Sequence, residues 1–337
     1  MFEDPFTGVR WIANGTPQVT WSFAQMPGDL FRFTNAISEP AYQAVVRKAF
    51  ATWESVANID FVEVADSSSV LIRLGGAPID GPDGTLAQAR WRYVGQQIIE
   101  AEIQFDWLDS WQPQRSEVGQ KNFLSTAIHE IGHTIGLAHV SDLASIMFPY
   151  ENGVVTPSAA DIANIRALYG ASLTPRTPDQ IVASQPTPVK DGALEVFRFF
   201  DARTDTHFYT ATAGERDTIL LNLPSFQYEG PAFRAPVSDS GTQAVYRFFN
   251  TGSGTHFFTA SVAERDAVQK SLPYMRYEGE VFKSYADAGA NGEHKAVYRF
   301  LDTSDGSHFY TASPVERDSV QKTLAQYHFE GVAYYVA

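Results

Sequence analysis

The chain has 337 residues, enough for two domains at roughly 100–200 residues each. Its 44% hydrophobic and 13% aromatic content suits packed cores rather than disorder. A net charge of −14 argues against a nucleic-acid partner, which needs clustered Lys and Arg; zero cysteines exclude disulfides and thiolate metal sites.

No apolar run reaches the roughly 18 residues of a membrane span, and the first residues lack a charged-then-apolar signal pattern. That leaves a cytosolic protein or a mature form whose signal has been removed. Residues 1–172 read as a mixed α/β unit. Gln18 to Phe23 alternates like a strand. From Pro40 to Ala57 the apolar positions Ala44, Val45, Ala49, Phe50 and Trp53 recur at helical spacing, with Ser38 as the expected cap. Ile59 to Val64, Val70 to Leu74 and Ile98 to Phe105 read as strands, and Phe123 to Ala138 as a helix. Ser158 and Asp161 resemble a capping box opening a helix to Tyr169, which Gly170 ends.

The helix from Phe123 carries the chemistry. His129 and His133 lie four apart, about 40° and 6 Å from each other on a helix, so both rings can reach one ion. Gly136 permits a sharp turn that brings His139 round as a third nitrogen. Three neutral imidazoles leave a zinc position open for water, as hydrolysis requires. Glu130, next to His129, is placed to take that water's proton and pass it to a leaving amine. Residues 1–170 contain only these three histidines.

The segment from His129 to His139 resembles the metzincins, zinc endopeptidases in which a methionine turn follows the zinc motif. Ser145-Ile146-Met147 matches that turn. A tyrosine two residues after the methionine can ligate zinc in astacins and serralysins; here Pro149 stands there, so the site is more similar to the matrixins, the matrix metalloproteinase family. Val140 departs from the serine typical of matrixins after the third histidine. The resemblance implies an α+β catalytic domain, with a twisted, mostly parallel sheet and three helices. It also implies a secreted, extracellular endopeptidase acting on protein or peptide substrates. With no cysteine in the chain, inhibition by a cysteine placed on the metal is excluded.

By the same resemblance, the stretch from Asp80 to Ala89 looks like a matrixin loop for structural calcium. Asp80, Asp106 and Asp109 would give carboxylates, and Gly81, Asp83 and Thr85 main-chain oxygens. The alternative is a solvated acidic turn with two ordinary surface aspartates. Matrixins hold a second, structural zinc here, but Gln88 and Gln104 occupy the matching strand positions and residues 75–78 offer no ligand, so one zinc is expected. Leu86 and Ala87 would line the substrate edge. Ser125, four before the first ligand, would leave the first primed pocket deep, with Phe148, Pro149 and Tyr150 as its outer wall. The family's Pro-x-Tyr is here Pro149-Tyr150-Glu151, which leaves three readings: Tyr150 takes the wall from a shifted position, Glu151 polarises the pocket, or Tyr150 packs on the last helix.

Residues 173–193, with Pro175, Pro178, Pro186 and Pro188, read as a linker. From 194 to 337 one pattern occurs three times, so the repeat sets the architecture. Val196 to Asp201, Val245 to Asn250 and Val297 to Asp302 are followed by His207, His256 and His308, which are 49 and 52 residues apart. Glu215-Arg216-Asp217, Glu264-Arg265-Asp266 and Glu316-Arg317-Asp318 then precede a third aromatic strand. Each unit reads strand, turn, strand, short helix, strand. The expectation is a β-rich, pseudo-threefold domain, with a trefoil-like form as one option. It resembles a repeat of unknown function attached to bacterial secreted enzymes and surface proteins. Its histidines read as structural hydrogen-bonders, the alternative being three rings converging on an ion, and each Glu-Arg-Asp as an internal ion pair. Binding of glycan or cell-surface material is its functional reading, in a chain expected to be a monomer. The competing reading of the whole is an adhesin with a secondary protease domain.

Overall fold

The computed structural model describes residues 6–113, 120–184, 189–190, 192–238 and 240–337. The chain divides into two compact units after Ser184. The first contains β1 (Gln18–Phe23), α1 (Pro40–Val56), β2 (Asp60–Glu63), β3 (Ile72–Ala77), β4 (Ala87–Val94) and β5 (Gln97–Asp106). The short strands β6 (Trp111–Gln112) and β7 (Lys121–Asn122) precede α2 (Phe123–Thr134), α3 (Ala159–Tyr169) and α4 (Pro178–Ser184).

Its main sheet has the order β2-β1-β3-β5-β4. All neighbours are parallel except the last pair, in which β4 runs antiparallel to β5 and forms an open edge. The buried face of α1 packs on this sheet, with Trp21 of β1 stacked on Phe50 at 4.4 Å. Trp53 of α1 donates from Nε1 to the Ile128 carbonyl at 2.9 Å, tying α1 to α2 inside the core. Such a bond satisfies the indole N–H that burial would otherwise strand.

Three local expectations are corrected. Ser38 does not cap α1: Glu39 holds the cap position without a side-chain capping bond, and Pro40 opens the helix. Proline at the helix start costs no intrahelical bond, since the N–H it lacks would have no partner there, and its fixed φ suits the first turn. The helix from Phe123 stops at Thr134 rather than Ala138, because Gly136 takes φ +102° and turns the chain away. A side chain there would be strained and would also meet the Val9 carbonyl oxygen at 2.4 Å. The stretch from 173 is not all linker, since α4 buries Ile181 and Val182 against Ala51 of α1. Its short run of apolar residues, within a proline-marked segment, was too brief to show a helical period.

The second unit is β-rich. After β8 (Val189–Lys190) come β9 (Ala193–Asp201), β10 (Thr206–Thr210), α5 (Ala213–Asn222) and β11 (Phe226–Pro236). The same order recurs as β12 (Thr242–Asn250), β13 (His256–Thr259), α6 (Val262–Ser271) and β14 (Met275–Tyr285). It recurs again as β15 (Lys295–Asp302), β16 (His308–Thr311), α7 (Pro314–Thr323) and β17 (Tyr327–Val336). In every repeat the first strand lies between the other two, antiparallel to both. The third strand bulges where Gly230, Gly279 and Gly331 take φ of +97° to +108°, a conformation open to glycine.

Those bulges bring Glu229, Glu278 and Glu330 onto Arg198, Arg247 and Arg299 of the middle strands, each at 2.7 Å. The same arginines reach into another repeat: Arg247 pairs with Glu215, Arg299 with Glu264, and Arg198 with Glu316. The Glu-Arg-Asp reading therefore holds for Arg and Asp, which pair within each helix, whereas the Glu serves another repeat. Tyr209, Phe258 and Tyr310 meet edge-on at 5.6–5.8 Å in the buried centre. A second trio, Phe233, Phe282 and Tyr334, meets at 5.9–6.3 Å.

The histidines of the repeats do not converge on an ion. His207, His256 and His308 lie against Phe309, Phe208 and Phe257 of other repeats, at 4.7–5.0 Å. Their Nε2 atoms lie 3.4–3.6 Å from the bulge glutamates. Among the described residues, the one group of three metal-capable side chains is in the first unit.

Candidate metal centre and substrate cleft

The site is built on α2. Asn122 caps the helix by accepting a hydrogen bond from the Ser125 amide at 3.1 Å. Phe123, Leu124, Ala127, Ile128 and Ile131 bury the inner face, which leaves His129 and His133 one turn apart at its edge. His129 donates from Nδ1 to the Ile146 carbonyl at 2.7 Å, and His133 donates from Nδ1 to the Leu137 carbonyl at 2.9 Å. A carbonyl can only accept, so these bonds assign the hydrogen to Nδ1 and leave Nε2 with a free lone pair.

The Nε2 atoms of His129, His133 and His139 form a triangle with every side 3.1 Å. Lone pairs held this close repel unless a cation lies among them. A triangle of this size lets one ion sit about 2.0–2.1 Å from all three nitrogens, the ordinary zinc–imidazole distance. Burial, helped by the neighbouring rings, lowers His129 to about 4 and His133 to about 3, and burial also lowers His139. All three are thus held in the neutral form that binds metal. The residues fit a zinc ion.

Glu130 is buried beside this triangle and lines the same cleft. Burial pushes its carboxyl up to about 8, opposed by a hydrogen bond from the Ala89 amide on β4. A cation among the histidines would favour the ionised form. Below the helix, Met147 is buried, and a Cβ on Gly132 would meet its sulfur at 2.5 Å. Gly132 therefore allows the methionine turn to press against the helix between the two ligand positions.

Residues 11–170 match the matrixin family, and residues 195–337 match a domain of unknown function (DUF5648). The chain is 29% identical over 218 residues to an interstitial collagenase of Oryctolagus cuniculus, covering 60% of this chain and 43% of that protein. It is 33% identical to metalloendoproteinase 1 of Glycine max, over 48% of this chain and 53% of that protein. A hatching enzyme of Paracentrotus lividus is 31% identical over 49% and 27%. Residues 11–170 are a matrixin domain, within the metzincins. The chain spans about half or less of the length of these curated relatives.

The matrixin cleft encloses about 960 Å³. Leu86, Ala87, Gln88 and Ala89 along the β4 edge form one side, Ser125 and Thr126 of α2 lie toward the base, and Phe148 to Asn152 form the other side. Sequence reasoning placed Leu86, Ala87, Ser125, Pro149 and Tyr150 here, and all five line the cleft. Tyr150 is 75% exposed, with its ring edge-on to Phe148 at 5.8 Å. It does not pack on α3.

The acidic loop is organised by the same carboxylates named from sequence. Asp106 Oδ2 accepts from the amides of Ile79, Asp80 and Gly81 at 3.1–3.2 Å. Asp80 accepts from Thr85, and Asp109 Oδ1 from the Asp83 amide at 2.8 Å. Asp109 Oδ2 is buried with no hydrogen-bond partner, and burial together with the nearby Asp106 raises its pKa. Asp83 itself adopts φ +66° and pairs with Lys121 at 3.0 Å. Gln88 and Gln104 face each other across β4 and β5.

One residue was missed as part of the site. Asp161, read only as the cap of α3, is 1% exposed and accepts from the Ser145 hydroxyl, the Ile146 amide at 3.1 Å and the Ser158 amide at 2.8 Å. Since the Ile146 carbonyl holds His129, Asp161 anchors the methionine turn that orients a ligand. Its capping-box spacing was the only local signal, and that signal accounts for one of these three bonds.

Proposed function

We propose that the chain is a zinc-dependent endopeptidase. The observation that carries this is the 3.1 Å triangle of imidazole nitrogens beside buried Glu130, at the base of a cleft bounded by a free sheet edge. Zinc would be held by His129, His133 and His139, and when bound it supplies Lewis-acid polarisation of water and of the scissile carbonyl. Glu130 takes the proton of the attacking water and delivers it to the leaving amine. The β4 edge offers main-chain groups to an extended substrate backbone, which binds as an added strand. Burial of the histidines keeps them neutral, and the carbonyls of Ile146 and Leu137 fix their tautomer. Glu130→Ala should retain one zinc per chain, not two, while casein cleavage falls at least about 10²–10⁴-fold. Cleavage within threefold of wild type would exclude this role.

We further propose a peptidase domain over residues 1–172, a connecting stretch over 173–193 in which α4 packs on α1, and a repeat domain over 194–337 that closes as a pseudo-threefold ring. The support for closure is that each arginine–glutamate pair links one repeat to the next and the third back to the first. A trefoil-like form has only that ring in its favour, since each unit includes a helix. Structural calcium in the Asp80–Thr85 loop is supported by the unpaired oxygen of Asp109. Secretion is suggested by the matrixin match, and the repeat domain is assigned a targeting role on substrate or surface; no helix of the described residues is long and apolar enough to cross a membrane.

A further inference from the structure

Resting on the peptidase reading, we propose that Glu151 makes the first pocket beyond the scissile bond select a basic side chain, Lys or Arg. Four observations carry it. Glu151 lines the cleft and is exposed, and among the described residues it has no ion-pair partner. Lys121, the cation among the described residues that feels Glu151, is held by Asp83 at 3.0 Å, with Asp109 adding to the negative field around it. Among the described residues that line it, the cleft therefore holds more carboxylates than cations.

The base of the pocket is small and polar. Ser125 and Thr126 are buried hydroxyl residues of α2, so they leave depth without the apolar bulk that would favour leucine. The wall that carries Glu151 is also fixed in place. Asn152 donates from Nδ2 to the carbonyls of Leu143 and Ser145 and accepts from the Val154 amide, so the residue beside Glu151 is pinned on three sides. Phe148 and Tyr150 complete the wall with aromatic surface. A long basic side chain can lay its methylenes on that surface and place its charge at Glu151. A leucine side chain would instead cover an unpaired carboxylate, which is costly.

The test uses the full chain, loaded with zinc, and quenched fluorescent peptides that differ only in the residue after the scissile bond. Wild type should rank Lys above Leu above Glu in kcat/KM, and added salt should narrow the gap. Glu151→Gln should lower the Lys-to-Leu ratio by about fivefold or more, the scale of one charge-assisted contact. Glu151→Lys should move Glu ahead of Lys. A Leu preference that Glu151→Gln leaves unmoved would overturn the proposal. If wild type cleaves none of the peptides, the peptidase reading is what fails. Anisotropy of the same peptides bound to the zinc-loaded chain then decides the pocket: tighter Lys binding that Glu151→Gln removes supports it, and equal binding of Lys and Leu peptides overturns it.

Discussion

Replacing Asp161 with Ala removes a carboxylate that no substrate would touch, yet it should weaken the metal site. The carboxylate is 1% exposed and receives the Ile146 amide at 3.1 Å and the Ser158 amide at 2.8 Å, with the Ser145 hydroxyl as a third donor. Each buried donor left without a partner costs about 1–3 kcal/mol, so the variant should lose about 3–5 kcal/mol of stability. Ser158→Ala removes only the reciprocal cap and should cost about 1 kcal/mol. The Ile146 carbonyl orients His129, and loss of such outer support typically costs about 10–100-fold in metal affinity. All six tryptophans, at 11, 21, 53, 91, 107 and 111, lie in the first unit, so their fluorescence in urea follows that unit. Zinc affinity is read by competition with a chromogenic chelator. The reasoning fails if Asp161→Ala binds zinc within twofold of wild type, or if it is no less stable than Ser158→Ala.

Calcium should raise the tryptophan-monitored melting temperature at saturating zinc, because an ion bound only by the folded state stabilises it by about 2.7 kcal/mol at a hundred times its Kd. Asp109→Ala should abolish the rise, and identical wild-type melts in calcium and in a calcium-selective chelator would refute the site. The repeat unit should lose stability as pH falls from 6.5 toward 4. Burial, with Arg198 and Arg247 nearby, lowers His207 and His256 to about 4 despite the carboxylates beside them, and His308 is also lowered. Above pH 6.5 both states hold neutral rings; below it only the unfolded chain takes up protons, which costs roughly 2–3 kcal/mol for each of His207 and His256. A far-UV transition that tryptophan does not report, unchanged between pH 7 and pH 4.5, would contradict this.

The metal ligands were legible because their relation is local. A helix fixes two residues four apart on one face, and a glycine able to turn the chain returns a third within a few residues. The strands β1, β2, β3 and β5 and the capping of α3 were legible for the same reason, within three residues at their ends. Helix length was misjudged where Gly136 had to pass the Val9 carbonyl, a constraint from a segment more than a hundred residues earlier. The repeats announced their strand–strand–helix–strand order by recurrence. Their sequence did not reveal that each helix glutamate leaves its own Arg and Asp for an arginine in another repeat.

By itself, then, the sequence determined the chemical set of this protein: three imidazoles and a glutamate at helical spacing, an acidic loop, and three copies of one aromatic unit. Tertiary structure alone decided that the imidazole nitrogens close to 3.1 Å, that Asp161 supports His129 through the Ile146 peptide, and that Glu151 reaches the cleft without an ion-pair partner among the described residues. The physical reason is range. Backbone periodicity sets which side chains share a face, whereas their final separation depends on turns, buried hydrogen bonds and packing contributed by residues distant in the chain.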